Sequence, residues 1–332
     1  MTAVPLFAEL LGQPRAVQLL QAALAQRRLA PAYLFAGPDG VGRRLAALRF
    51  LEGVLAGVDG SPQVRRRLME GNHPDLLWLE PTYSDKGQLI VASQAEAAGI
   101  SRRTPPQLRL EQIREVSRFL ARRPVEAPGC LVVLEGAEAM AEAAANALLK
   151  TLEEPGDGLL VLITAAPEQL LGTIRSRCQL IPFARLAPEL VRQVLAALPA
   201  AGADPISEPL AEPPGPGPAR PDPPELAELA AGSPGALLRH RRQWQQLPED
   251  LADRLLALSS EPLAALELAR DLTEALDGEQ QLWLIEWWQL ALWRRHPDEG
   301  PLRRLERLRL QLRSFVQPRL AWEVALLELA TR

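Results

Sequence analysis

The sequence predicts an α/β fold on a parallel sheet, followed by an all-helical second half. Three observations carry this. Short, continuously apolar strand candidates alternate with helix-period stretches, a glycine-rich turn separates the first strand from the next helix, and helical period without strand signals runs from Pro248 onward. At 332 residues the chain exceeds one compact core and predicts two or three domains.

Each element follows from local pattern. Pro14 to about Arg27 reads as a helix with Val17, Leu20 and Leu24 on one stripe, and Tyr33-Leu34-Phe35-Ala36 as a strand. After the glycine turn, residues 41–56 return to helical period with Leu45, Leu48, Leu51 and Leu55 on one side. Leu76 to Leu79 is a second strand, ending at Glu80-Pro81, and the polar, aperiodic stretch from Tyr83 to Pro106 is expected to be a loop or insertion. Helix Leu108 to Arg122, strand Leu131 to Leu134, helix Ala141 to Glu153 and strand Leu159 to Thr164 complete the α/β pattern. Pro199 to Pro224 carries ten prolines, three glycines and no aromatic residue, so a linker or disordered insertion is expected there. Helical patterns flank it at Pro188 to Leu198 and Glu225 to Trp244, and later breaks fall near Pro262, Asp277-Gly278 and Gly300-Pro301.

Composition narrows the function. A 47% hydrophobic, 23% charged chain is globular. No apolar run approaches the roughly 18 residues of a membrane span, so no membrane partner is expected. The amino terminus lacks the layout of a signal peptide, and a cytoplasmic location is expected. Cys130 and Cys178 cannot build a disulfide framework, and with three histidines no zinc-ligand spacing occurs; no metal is expected. A net charge of −4 argues against a surface that is one large anion trap.

Gly37-Pro38-Asp39-Gly40-Val41-Gly42-Arg43-Arg44 follows a strand and opens a helix, the setting in which a phosphate loop is credible. In a working loop, backbone N–H groups cradle phosphate at the helix start, a lysine reaches the outer phosphates, and a Ser or Thr hydroxyl binds magnesium. Gly37, Gly40 and Gly42 keep the backbone requirement, but Arg43 stands at the lysine position and Arg44 at the hydroxyl position. A guanidinium is a planar fork, not a compact point charge, and Arg44 places a cation where magnesium would sit. Glu135, ending the strand Leu131 to Leu134, stands where an aspartate is usual; acids there also suit a helix start. Together these residues leave phosphate or ATP binding open, argue against hydrolysis, and require no cofactor.

Five blocks carry a resemblance to a family. They are Gly37 to Arg44, Gly71-Asn72-His73-Pro74-Asp75, the run Asn146 to Pro155, Thr164-Ala165-Ala166-Pro167 through Leu171, and Thr173-Ile174-Arg175-Ser176-Arg177-Cys178. Over roughly residues 6–190 the chain resembles the AAA+ clamp-loader subunits of bacterial DNA polymerase III. The resemblance implies an AAA+ P-loop domain over 1–185. It also implies a small helical lid over 186–245, interrupted by the Pro-rich 199–224, and an α-helical collar over 246–332 that holds the oligomer. It implies a subunit of a hetero-oligomeric ring with ATPase subunits and the delta subunit, which uses ATP to load the sliding clamp on primed DNA during replication, and the altered loop beside an intact Ser-Arg-Cys block makes a non-hydrolysing subunit the expectation. Arg177 is then an arginine finger offered to a neighbour's ATP, and Thr164 a polar sensor of phosphate. Pairing of Arg177 with surface acids, and the plain strand preference of threonine, remain open beside these roles. Gly232-Ser233-Pro234-Gly235 resembles the start of the second sensor helix, with Ala236 where an arginine is often expected. The cysteine-borne zinc module of many relatives is missing from residues 57–80. Two alternatives stand beside this reading. One is an active AAA+ ATPase motor subunit in which Arg43 replaces the lysine. The other is a DNA-binding replication or repair scaffold using the arginine-rich segment around Arg303, Arg304, Arg307, Arg309 and Arg313.

Overall fold

The computed structural model describes residues 5–85, 87–95, 105–154, 156–197, 220–314 and 316–330. It divides into two compact units. One is Met1–Pro213 with Gly232–Gly235, and the other is Pro214–Ala231 with Ala236–Arg332.

The first unit holds a five-stranded parallel sheet. Its strands are β1 (Ala32–Ala36), β2 (Leu76–Leu79), β5 (Leu131–Leu134), β6 (Leu159–Thr164) and β7 (Gln179–Pro182), in the order β2-β5-β6-β1-β7. β1 is central, pairing with β6 from Ala32↔Leu160 to Ala36↔Thr164 and with β7 from Tyr33↔Gln179 to Ala36↔Pro182. Its five residues are all buried, as expected of a strand covered on both faces. On one face Leu34, Val132, Leu134, Leu160 and Leu162 pack with Ile113, Val116 and Phe119 of α4 (Leu110–Leu120) and with Leu148 and Leu152 of α5 (Glu142–Glu153). On the other, Tyr33 and Phe35 meet Phe50 of α2 (Arg43–Ala56), with ring centroids 4.8 and 6.3 Å apart. Helices α1 (Pro14–Ala25), α3 (Pro62–Met69), α6 (Gly172–Arg175) and α7 (Pro188–Ala197) complete the unit.

The stretch expected to be a loop is structured in part. β3 (Thr82–Asp85) and β4 (Gln88–Val91) form an antiparallel hairpin closed by a two-residue connection containing Gly87. Among the described residues it forms a separate two-stranded sheet, so no face buried against the large sheet requires a hydrophobic period. Strand β7 and helix α3 were also not foreseen, since β7 has only one buried residue, Ile181, and α3 only Leu68.

The second unit is helical: α8 (Pro224–Ala230), α9 (Pro234–Gln246), α10 (Leu251–Leu256), α11 (Pro262–Ala275), α12 (Gly278–Arg295), α13 (Glu299–Arg313) and α14 (Pro318–Ala330). The first two residues of α9 belong to the first unit. The expected helix over 225–244 is two helices, broken where Ala231 and Gly232 take left-handed φ of +45° and +82°. Starts at Pro262, Gly278 and Glu299 match the expected breaks. Trp287, Trp288 and Trp322 are fully buried, and Trp322 Nε1 donates to Gln281 Oε1 at 3.0 Å. Trp283 Nε1 donates to His240 Nδ1 at 2.9 Å, whereas Trp293 is exposed. The Pro-rich segment lies outside the described residues except for 220–224, where Pro224 opens α8. Among the described residues no helix is long and apolar enough to cross a membrane.

Candidate functional site

The phosphate-type loop lies at the carboxyl end of β1, where Gly37 N–H donates to the Thr164 carbonyl at 3.2 Å. Gly42 precedes α2 with φ +99°, a conformation open to glycine and strained for other residues. The loop is held from outside by the Gly232–Gly235 turn. Ser233 Oγ donates to the Asp39 carbonyl at 2.5 Å, and Gly235 N–H donates to the Gly40 carbonyl at 3.0 Å. A Cβ at Gly235 would lie 2.7 Å from Gly40 Cα, so only glycine permits this approach.

Both arginines of the loop are engaged inside the chain. Arg43 donates to the Asp39 carboxylate one turn earlier; its own side chain is 8% exposed and that of Asp39 is 61% exposed. Arg44 Nη1 donates to Glu135 Oε2 at 2.7 Å and to Glu80 Oε1 at 3.1 Å, with its guanidinium carbon 4.8 Å from the centre of the Trp78 ring. Trp78 Nε1 donates to the same Glu135 oxygen at 3.0 Å. Burial pushes the Glu135 carboxyl above the usual glutamate range, with Glu80 adding to the rise and Arg44 opposing it. A magnesium ion does not fit these residues. The position of the metal-binding hydroxyl is a guanidinium, and that cation takes the two carboxylates a metal would use. Thr164 is fully buried, and its Oγ1 accepts from Ala166 N–H at 3.2 Å. Glu138 Oε1 accepts from Ala165 N–H at 3.1 Å and so joins two strand ends.

Arg177 lies away from this cluster of ion pairs, just past α6. Its side chain is 37% exposed, the guanidinium donating to Glu153 Oε1 at 2.8 Å and to the Thr173 carbonyl at 3.1 Å. Glu153, the last residue of α5, is itself 54% exposed. Neighbouring Cys178 has its thiol pushed up to about 11 by burial, which leaves it protonated and inert at neutral pH.

The block ending in Asp75 is a clasp. The Asp75 carboxylate accepts N–H bonds from Val125, Glu126 and Ala127 at 2.7, 2.7 and 2.8 Å. Burial pushes this carboxyl up, but the three donors outweigh it and hold it below the usual aspartate range. On α13, Arg303 pairs with Glu299, Arg307 with Glu328, and Arg309 with Glu306 and Glu286. Arg304 of the same helix donates instead to the Glu328 carbonyl.

Of the residues the sequence marks, Arg44 and Glu135 meet directly, and the structure adds Glu80 and Trp78 to them, Asp39 to Arg43 and Ser233 to the loop backbone. Asp39 was readable as an acid four residues before Arg43. Glu80 was marked only as a strand end.

The comparisons agree with this architecture. The family model described as DNA polymerase III, delta subunit, matches residues 12–187. The model described as cyanobacterial DNA polymerase III delta prime, C-terminal domain, matches residues 216–329. DNA polymerase III subunit delta' of Bacillus subtilis is 34% identical over 189 residues, which is 55% of this chain and 51% of that protein. The chain thus spans about half the length of that relative. The subunit delta' of Pseudomonas aeruginosa is 32% identical over 287 residues, 82% of this chain and 75% of that protein. The solved structure of a DNA polymerase III gamma subunit-related protein from Thermotoga maritima shares the fold. It superposes with a TM-score of 0.54 at 16% identity, covering 96% of this chain and 99% of that one.

Proposed function

The chain belongs to the delta-prime family of DNA polymerase III clamp-loader subunits, and from that premise we propose that it serves the loader without hydrolysing ATP itself. One observation carries this reading: the Arg44 guanidinium bridges Glu80 and Glu135. A guanidinium there supplies no oxygen ligand and leaves no anionic pair for magnesium, so the charge that drives phosphoryl transfer has no metal to neutralise it. The exposed Arg177 is the group this subunit gives to catalysis, as an arginine finger in the ATP site of a neighbouring subunit. Its hold on Glu153 is an exposed ion pair of small net worth, and a phosphate oxygen can displace that carboxylate. In this reading residues 1–185 are the AAA+ domain, 186–245 the lid and 246–332 the collar of a hetero-oligomeric ring. The partners are the ATPase subunits and delta, and the sliding clamp and primed DNA are met through the assembly.

The test is ATP turnover by the purified chain in magnesium, with Arg43→Ala as the contamination control. No turnover above that control is expected. Turnover abolished by Arg43→Ala would replace this reading with an active motor. In the reconstituted assembly, DNA-stimulated turnover unchanged by Arg177→Ala would remove the finger assignment.

A further inference from the structure

We infer that Asp39 is the residue by which this loop refuses nucleotide phosphate, acting as a built-in anion on Arg43. The inference rests on the non-hydrolysing reading and gives it a second, separable cause. A phosphate loop attracts anions through helix-start N–H groups, the helix dipole and one basic side chain. Here the basic side chain is buried behind an acid. Arg43 donates to the Asp39 carboxylate, and the carboxylate is the exposed member of the pair. An incoming phosphate therefore meets a like charge at the mouth of the loop and a buried guanidinium that already donates to a carboxylate.

The carboxylate is not free to swing aside with its backbone. Ser233 Oγ holds the Asp39 carbonyl and Gly235 N–H the next one, at Gly40, in contacts that exclude a side chain at position 235. The loop conformation that phosphate would otherwise organise is thus held by the protein. Arg44 completes the arrangement with the opposite sign, its guanidinium facing Glu80 and Glu135. The loop contains an internal anion for its cation, and the strand ends contain an internal cation for their anions. Asp39 rejects the triphosphate and Arg44 rejects the metal.

The experiment is an equilibrium titration of the full chain with a fluorescent ATP analogue, with and without magnesium, followed by competition with inorganic phosphate. Wild type, Asp39→Asn and the double variant Asp39→Asn with Arg43→Ala are compared, with thermal melting of each as the folding control. Wild type is expected not to saturate. Asp39→Asn is expected to bind about tenfold tighter or more, without need of magnesium, with affinity falling as salt rises and lost in the double variant. Asp39→Asn binding no tighter than wild type, or tightening that survives Arg43→Ala, overturns the inference. Asp39→Ser serves the same comparison should the asparagine variant fail to fold. Saturable binding by wild type without turnover overturns the inference and leaves the non-hydrolysing reading standing, whereas magnesium-dependent turnover by wild type overturns both.

Discussion

Two corners of the first unit use arginine in opposite ways. At the loop, the Arg44 guanidinium lies over a tryptophan ring and between two carboxylates. Past α6, Arg177 reaches a single carboxylate that is itself more exposed than buried. A guanidinium with several partly buried partners is structural, because removing it strands anions that have already lost water. An exposed guanidinium held by a single exposed acid is exchangeable, because solvent competes for both members of the pair. The difference separates an arginine that keeps a site shut from one available to another molecule.

The comparison can be broken at either corner. The largest expected effect is that of Arg177→Ala, which should lower ATP turnover of the reconstituted assembly about 10³-fold while leaving the melting temperature of the isolated chain unchanged. Arg44→Ala should destabilise the first unit by about 2 kcal/mol, read from denaturant melts. Because burial raises the folded-state pKa of Glu135 and Arg44 opposes that rise, the part of the penalty due to a stranded carboxylate should appear as pH rises through the raised value and be absent below it. A pH-independent loss would mean that Arg44 acts only by packing on Trp78. Asp75→Asn should cost about 1–2 kcal/mol, since it weakens three N–H bonds to a carboxylate. The Asp75 value is depressed in the folded state, so its contribution is fully present above the ordinary aspartate range. It is lost as pH falls through the depressed value, and the acid limb of the wild-type melt should flatten in the variant. The smallest effect is expected of Glu153→Ala, under about 0.5 kcal/mol and with turnover of the assembly retained. A larger loss of stability would make the Arg177 pair structural and erase the contrast.

Much of this was legible along the chain. The strand, glycine loop and helix around Gly37 to Arg44 follow one another without a gap, so local period alone placed them. The replaced lysine and hydroxyl were visible as residue identities. The hairpin from Thr82 to Val91 was not legible, because an isolated pair of strands has no buried face to impose alternation. The left-handed conformation of Ala231 was not legible in that residue, although Gly232-Ser233-Pro234-Gly235 beside it marked a helix start. The histidine and aspartate of the Gly71 to Asp75 block were conspicuous in sequence. The task of Asp75, tying down the backbone at residues 125–127, was not, nor was that of His73, whose Nδ1 accepts the Asp75 N–H.

The sequence by itself determined the order of the α/β elements, the helical second half, and the loss of the two side chains that a phosphate loop uses on nucleotide and metal. These depend on residue identity and on periods of two to four residues. Only the tertiary structure decided which anion meets which cation. Glu80, Glu135 and the Ser233 hydroxyl reach the loop across 36, 91 and 194 residues of chain. No local pattern reports such a meeting, because it is the sheet order that carries the ends of β2 and β5 toward the first turn of α2.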